Sequence, residues 1–234
     1  MLKQAMQTGL LLVTLLMVMA SAVQARMIMI KPGIYTNNNP GGTSLDLYVE
    51  VFNDNATHPP NYVTAISLVS PDGATLDINP LTSWDEVHKH FYASFANAVF
   101  GGTIPAGIYK VTVTDATGKI TLTDDVNATI LPLAVVTTPI GGSTIPSGVY
   151  TFSWGRVTGA KYYRVHLYDI SRGEFIYSNA PGQRIDTALT IYTIPKGVLQ
   201  PGRQYRMRIE ARTDFPDMDK RSQSLWINFF TEPL

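Results

Sequence analysis

Cysteine is absent from the 234 residues, which excludes disulfides, thiolate metal sites, a cysteine nucleophile and a lipid-anchored amino terminus. Charge is sparse and balanced, 18 Lys and Arg against 18 Asp and Glu, which argues against a nucleic-acid binder. Beyond the amino terminus no apolar run approaches the ~20 residues of a membrane-spanning helix. The chain carries no HExxH, no GxSxG, no Walker-type loop and no GxGxxG, and its four histidines form no Ser/His/Asp arrangement beyond chance. An enzyme is therefore not expected, and no cofactor is implied.

What is present begins with an export signal. Lys3 supplies a positive start, residues 10–20 are apolar except for Thr14, and both Ala20-Ser21-Ala22 and Val23-Gln24-Ala25 offer small residues for a signal peptidase. Cleavage after Ala25 removes residues 1–25 and leaves 209 residues (234 minus 25), enough for two sandwiches of about 100 residues each. The expected destination is the periplasm, the cell surface or the extracellular space, with no span left after cleavage. Abundant Tyr, Thr, Val and Ile, punctuated by 15 Pro and 18 Gly, with no long helical period, predict an all-β chain.

The second half has the clearer pattern. Tyr150, Phe152 and Trp154 alternate, as do Tyr163, Val165 and Leu167 after Ala160, and Tyr205, Met207, Ile209 and Ala211. Between them, residues 199–205 read LQPGRQY, and Phe229-Phe230-Thr231 lies near the end. In this order the elements resemble strands B, C, F and G of a fibronectin type III domain over about residues 139–231, with Tyr205 as the hydroxyl that caps backbone upstream of strand F. Such folds host many functions, so the resemblance implies architecture and not activity.

In the first half, Leu45, Leu47, Val49 and Val51 alternate with polar residues, and residues 63–69 are strand-like. Turns are expected at Pro71-Asp72-Gly73 and Asp115 to Gly118, with a strand through Tyr109, Val111 and Val113 between them. The PDG turn and the IPAGIYKVTVTDATGK run resemble bacterial Ig-like surface domains. The expectation is thus two tandem antiparallel β-sandwiches, Ig-like over 26–132 and fibronectin type III-like over 133–234. Residues 131–139 (LPLAVVTTP) would form a short, stiff connection whose first part finishes the last strand of the first sandwich. Residues 84–98 stay ambiguous: Trp84, Val87, Phe91 and Phe95 make a helical stripe, whereas a strand would put His88, His90 and Tyr92 on one face. GGTIPAGIY at Gly101 and GGSTIPSGVY at Gly141 read as one turn chemistry used twice, not as a repeat.

Three candidate sites follow. His88 and His90 would share a strand face, with His58 as a third imidazole, although nothing in the sequence brings His58 there. Asp214, Asp217 and Asp219 are weak calcium candidates or a solvated acidic loop. The third is a sheet face. If strands C and F point their apolar residues inward, then Tyr162, Arg164, His166, Tyr168, Arg206, Arg208, Glu210 and Arg212 point outward, joined by Trp226 if Leu225, Ile227 and Phe229 face the core. Tyr162, Arg164, Tyr168, Arg206, Arg208, Arg212 and Trp226 would then form a protein-docking face, a sugar platform, or ordinary cross-strand packing. A protein partner or self-association is the expected use, and a glycan is the alternative. Charge divides between the halves: five Lys and Arg against ten Asp and Glu over 26–132, and twelve against eight over 133–234. That asymmetry predicts salt-sensitive contact between the halves or between copies.

Overall fold

Leu45, Leu47, Val49 and Val51 point one way along a strand, and all four are buried. The structure, a computed structural model, describes residues 27–53, 62–86, 89–178, 185–186, 188–213 and 220–234. The signal segment, His58, His88, Asp214, Asp217 and Asp219 lie outside the described residues.

The first half contains β1 (Met27–Asn39), β2 (Gly42–Asn53), β3 (Val63–Val69), β4 (Thr75–Ile78), β5 (Trp84–Asp85), β6 (His90–Ala96), β7 (Gly107–Asp115) and β8 (Gly118–Val126). They form two layers, in the orders β1-β2-β6-β5 and β4-β3-β7-β8. Ile30, Ile34, Leu45 and Leu47 from one layer meet Ile66, Leu68, Val111 and Val113 from the other in a single core. The ambiguous segment resolves as a hairpin, with Trp84 opposite Phe91 and Asp85 opposite His90. Strand alternation sends Phe91 into the core and His90 and Tyr92 to the outer face, which the helical stripe would not do.

The second half contains β9 (Val136–Thr138), β10 (Thr144–Ile145), β11 (Gly148–Trp154), β12 (Tyr162–Asp169), β13 (Glu174–Ser178), β14 (Ile185–Asp186), β15 (Ile191–Leu199), β16 (Gln204–Arg212), β17 (Lys220–Gln223) and β18 (Ile227–Thr231). A β15-β11-β9 sheet faces the layer in which β12 lies between β13 and β16, and β16 pairs β18. This is the A-B-E against C′-C-F-G order of a fibronectin type III-like sandwich. Phe152, Trp154, Tyr163, Val165, Leu167, Tyr205, Met207, Ile209, Ala211 and Phe229 fill its core. The Gln200 amide donates to the Tyr205 hydroxyl at 2.8 Å, so the capping tyrosine stands where the resemblance placed it.

A second tyrosine does the same work in the first half. The Tyr109 hydroxyl donates to the Pro105 carbonyl at 2.9 Å, with Ile104 buried as Leu199 is. TIPAGIY is thus the counterpart of LQPGRQY, whereas GGSTIPSGVY leads into β11, the central strand of its sheet. Replacing Tyr205 by Phe leaves the Gln200 amide without its partner and should cost about 1–3 kcal/mol in denaturant unfolding. An unchanged midpoint would show that the corner is dispensable.

Three expectations are corrected. Strand β8 ends at Val126, and Leu131 packs in the second core, so the connecting segment does not close the first sandwich. Leu225 does not face inward but is 64 % exposed. The last strand breaks at Ser224, whose hydroxyl accepts from the Ile209 amide at 3.0 Å in place of a ladder carbonyl, and this shifts the register between β17 and β18. Finally, the halves are not held by loose charge attraction. β1 pairs in parallel with β17, Thr36 to Asn38 opposite Lys220 to Ser222, and merges one sheet of each half into a continuous 11-stranded sheet.

Candidate functional site

The merged sheet has an outer face, and its polar residues converge where β1 meets β17. Asp46 on β2 is fully buried and accepts five hydrogen bonds: from Asn37 Nδ2 (3.0 Å), Ser44 Oγ (2.7 Å), Tyr92 Oη (2.8 Å), Ser94 Oγ (2.7 Å) and Arg221 Nη2 (2.7 Å). A buried carboxylate needs this much satisfaction, because its desolvation is not otherwise offset. Arg221 also donates from Nε to Asn37 Oδ1 at 3.2 Å and lies 5.0 Å from the Tyr35 ring centroid. Beside it, buried Glu210 pairs with Arg212, accepts from Gln223 Nε2 at 3.1 Å, and lies 3.6 Å from His166 Nε2 and 3.9 Å from Arg221 Nη1. Burial alone would raise the Glu210 pKa, but Arg212, His166 and Arg221 together hold it well below the usual carboxylate range.

Above this network a cleft of about 530 Å³ opens between the halves. Its first-half wall carries Lys31, Tyr35, Tyr48, Glu50, Asp85, His90 and Tyr92, and its second-half wall carries Arg164, Arg212 and Arg221. Gly33 shapes the first wall: a Cβ there would meet the Tyr48 ring at 2.2 Å, so only glycine lets that ring lie against β1. His90 packs 5.5 Å from Tyr48 between centroids. On the other wall Arg221 and Arg212 are committed to Asp46 and Glu210, while Arg164 donates no hydrogen bond among the described residues. Desolvation and then the neighbouring Arg212 lower the Arg164 pKa from its ordinary value, and Glu210, directly opposite on β16, only partly offsets them.

The other end of the face, away from the first half, is aromatic. Arg206 is interleaved between Tyr168 (4.3 Å) and Trp226 (4.7 Å), and Arg208 also lies over Trp226 at 4.6 Å. Phe175 on β13 meets Tyr168 edge-on at 85° and Trp226 at 54°. Phe175 is 60 % exposed, and Leu225 stands beside Trp226 in sequence. The Nε atoms of Arg206 and Arg208 are buried without a partner, although Arg208 Nη1 reaches Gln223 Oε1 at 2.8 Å.

The face predicted from alternation is therefore divided. Tyr168, Arg206, Arg208 and Trp226 form the aromatic patch, whereas Arg164 and Arg212 belong to the cleft. Tyr162 lies on the same face but is only 3 % exposed. Of the three candidate imidazoles His90 alone is described, and it lines the cleft. Among the described residues no three His, Asp or Glu side chains are grouped to hold a metal ion, and no helix is long and apolar enough to cross a membrane. Sequence reading missed the Asp46 network, Tyr48 and the cleft; the small polar outer residues Asn37 and Ser44 were the available signal for a covered face.

No family model and no curated protein matches the chain. Among solved structures it is similar to fibronectin(III)-like modules of Clostridium thermocellum CbhA, at 13 % identity and a TM-score of 0.30, covering 88 % of this chain and 95 % of that one. It is also similar to the FN1–FN3 domains of chicken CNTN1, at 12 % identity and a TM-score of 0.33, covering 89 % of this chain and 66 % of that one. Strand order and register, rather than these likenesses, identify the sandwiches.

Proposed function

We propose that this chain is a non-catalytic binding module, an Ig-like sandwich followed by a fibronectin type III-like one, exported to the bacterial envelope or extracellular matrix. It docks a protein partner on the aromatic patch of the second sandwich. The observation that carries this reading is the interleaving of Arg206 and Arg208 with Tyr168, Trp226 and the exposed Phe175. Trp, Tyr and Arg are the residues enriched at binding hot spots. A sugar platform would favour coplanar rings, but here the rings meet at 85° and 54° with guanidinium groups between them. The partner surface that complements the patch is an apolar anchor flanked by carboxylates, which would face the Arg206 and Arg208 guanidinium groups.

Phe175 and Leu225 are each more than half exposed, so charging them leaves the core intact. The double variant Phe175→Glu, Leu225→Glu should lose a cross-link captured in the native envelope by a photoreactive residue placed beside the patch. Its melting temperature should stay at the wild-type value. A cross-link of unchanged yield would overturn the docking reading.

A further inference from the structure

Tyr177 and Tyr192 stand on different sheets of the second sandwich. Their strands, β13 and β15, each pair on one side only, so both are sheet edges. Alternation from the exposed Phe175 would turn Tyr177 to solvent as well. A bulge in the β12–β13 ladder prevents this: Phe175 lies opposite Tyr168 and Tyr177 opposite Leu167, which leaves Ile176 as the extra residue. Tyr177 is thereby brought to the side of Leu167, which is fully buried. Tyr192 lies opposite Phe152, also fully buried. Both tyrosines, half-buried, therefore pack against one core from opposite sheets.

Other tyrosine hydroxyls of this core meet backbone: the Val157 amide donates to Tyr163 at 2.7 Å, and the Gln200 amide donates to Tyr205 at 2.8 Å. Tyr177 and Tyr192 instead hydrogen-bond to each other, with ring centroids 6.0 Å apart and planes inclined by 34°. Burial, and then the bond to Tyr192, push the Tyr177 hydroxyl above its ordinary range, so at neutral pH it is a phenol. In a tyrosyl radical the unpaired electron is shared between the oxygen and the Cε carbons that flank it. Two such radicals formed here are already neighbours, so their coupling needs no diffusion. The chain has no cysteine, so no disulfide can tie the two sheets.

We propose that Tyr177 and Tyr192 are an oxidative modification site, at which a Cε–Cε bond joins the two sheet edges as dityrosine. A peroxidase-type one-electron oxidant, fed by hydrogen peroxide, removes one electron and the phenolic proton from each ring. The radicals couple through one Cε of each ring, and the hydrogen on each joined carbon moves to its oxygen, which restores both phenols. Peroxide takes up the two electrons and two protons and leaves as two molecules of water. The link joins residues 15 apart in sequence and restricts the unfolded chain as a disulfide would.

The test treats the full mature chain with hydrogen peroxide and a haem peroxidase at low protein concentration, then isolates and digests the monomer. Dityrosine fluorescence should appear, and a peptide pair joined through Tyr177 and Tyr192 should weigh two hydrogen atoms less than the sum of its parts. Tyr177→Phe and Tyr192→Phe keep the rings against the core, and each should lose the joined pair. The oxidised wild type should melt about 5–10 °C above the untreated chain, whereas the treated Phe variants should show no rise. Dityrosine formed only between chains, or a monomer without the Tyr177–Tyr192 pair, would overturn the assignment. A cross-linked monomer with an unshifted melting temperature would overturn its role in tying the sheets.

Discussion

Arg221→Ala should lower unfolding free energy by about 3 kcal/mol, with the damage concentrated where the two halves join. The substitution removes the charged partner of a fully buried carboxylate, the contact to Asn37 and the cation over Tyr35. Four neutral donors remain on Asp46, from Asn37, Ser44, Tyr92 and Ser94, so the loss should fall at the lower end of the ~3–5 kcal/mol seen when one member of a buried pair is deleted. Amide exchange should accelerate at residues 36–38 and 220–222, which pair across the junction, while Leu45 and Ile209 in the two cores stay protected. Uniform acceleration, or none, would mean that Arg221 does not fasten the junction.

The same geometry reverses the expectation drawn from charge asymmetry. Surface attraction between an acidic and a basic half weakens as salt shortens the screening length, from about 10 Å at 0.1 M to about 3 Å at 1 M. Here the halves share a backbone ladder, and the ion pair inside it is out of reach of mobile ions. The radius of gyration of the mature chain should therefore stay constant across an ionic-strength series, and a compact-to-extended transition with salt would contradict the merged sheet.

What alternation reveals is the inward half of each strand. The buried runs Leu45 to Val51, Tyr163 to Leu167 and Tyr205 to Ala211 were legible because each is apolar at period two beside polar neighbours. The tyrosine corner was legible because its Leu, Pro-Gly and Tyr have fixed spacing. What alternation does not reveal is whether anything covers the outward half. Asp46, Glu210 and Arg221 have the sequence character of solvated residues, yet both carboxylates are buried, because β1 and β17 come together from opposite ends of the chain. That parallel pairing spans 184 residues and has no local signature. The Leu225 error has a related cause: a single serine hydroxyl entering the ladder shifts the register, and nothing about Ser224 in sequence distinguishes it from an ordinary strand residue.

Glu210→Gln should cost about 3–5 kcal/mol at neutral pH, and the cost should shrink in acid. Glutamine keeps the shape and an acceptor oxygen but removes the charge that answers Arg212 and Arg221. Burial works against the Glu210 carboxylate, and the facing cations overcome it, so its pKa in the folded protein lies well below the ordinary value of 4.5. A group depressed in this way contributes stability that is fully present above its unfolded pKa and is lost as pH falls through its folded one. The wild type and Glu210→Gln should therefore differ by a constant amount above about pH 5, and the two curves should approach each other below it. Groups facing Glu210 from other strands, Arg164 and His166 on β12 and Arg221 and Gln223 on β17, are present in both proteins, so the difference reports the carboxylate together with its interactions with them. Urea unfolding of both proteins from pH 7 down to acid provides the measurement. A difference that stays constant to the lowest pH would mean that the charge of Glu210 contributes nothing, and that packing alone explains its burial.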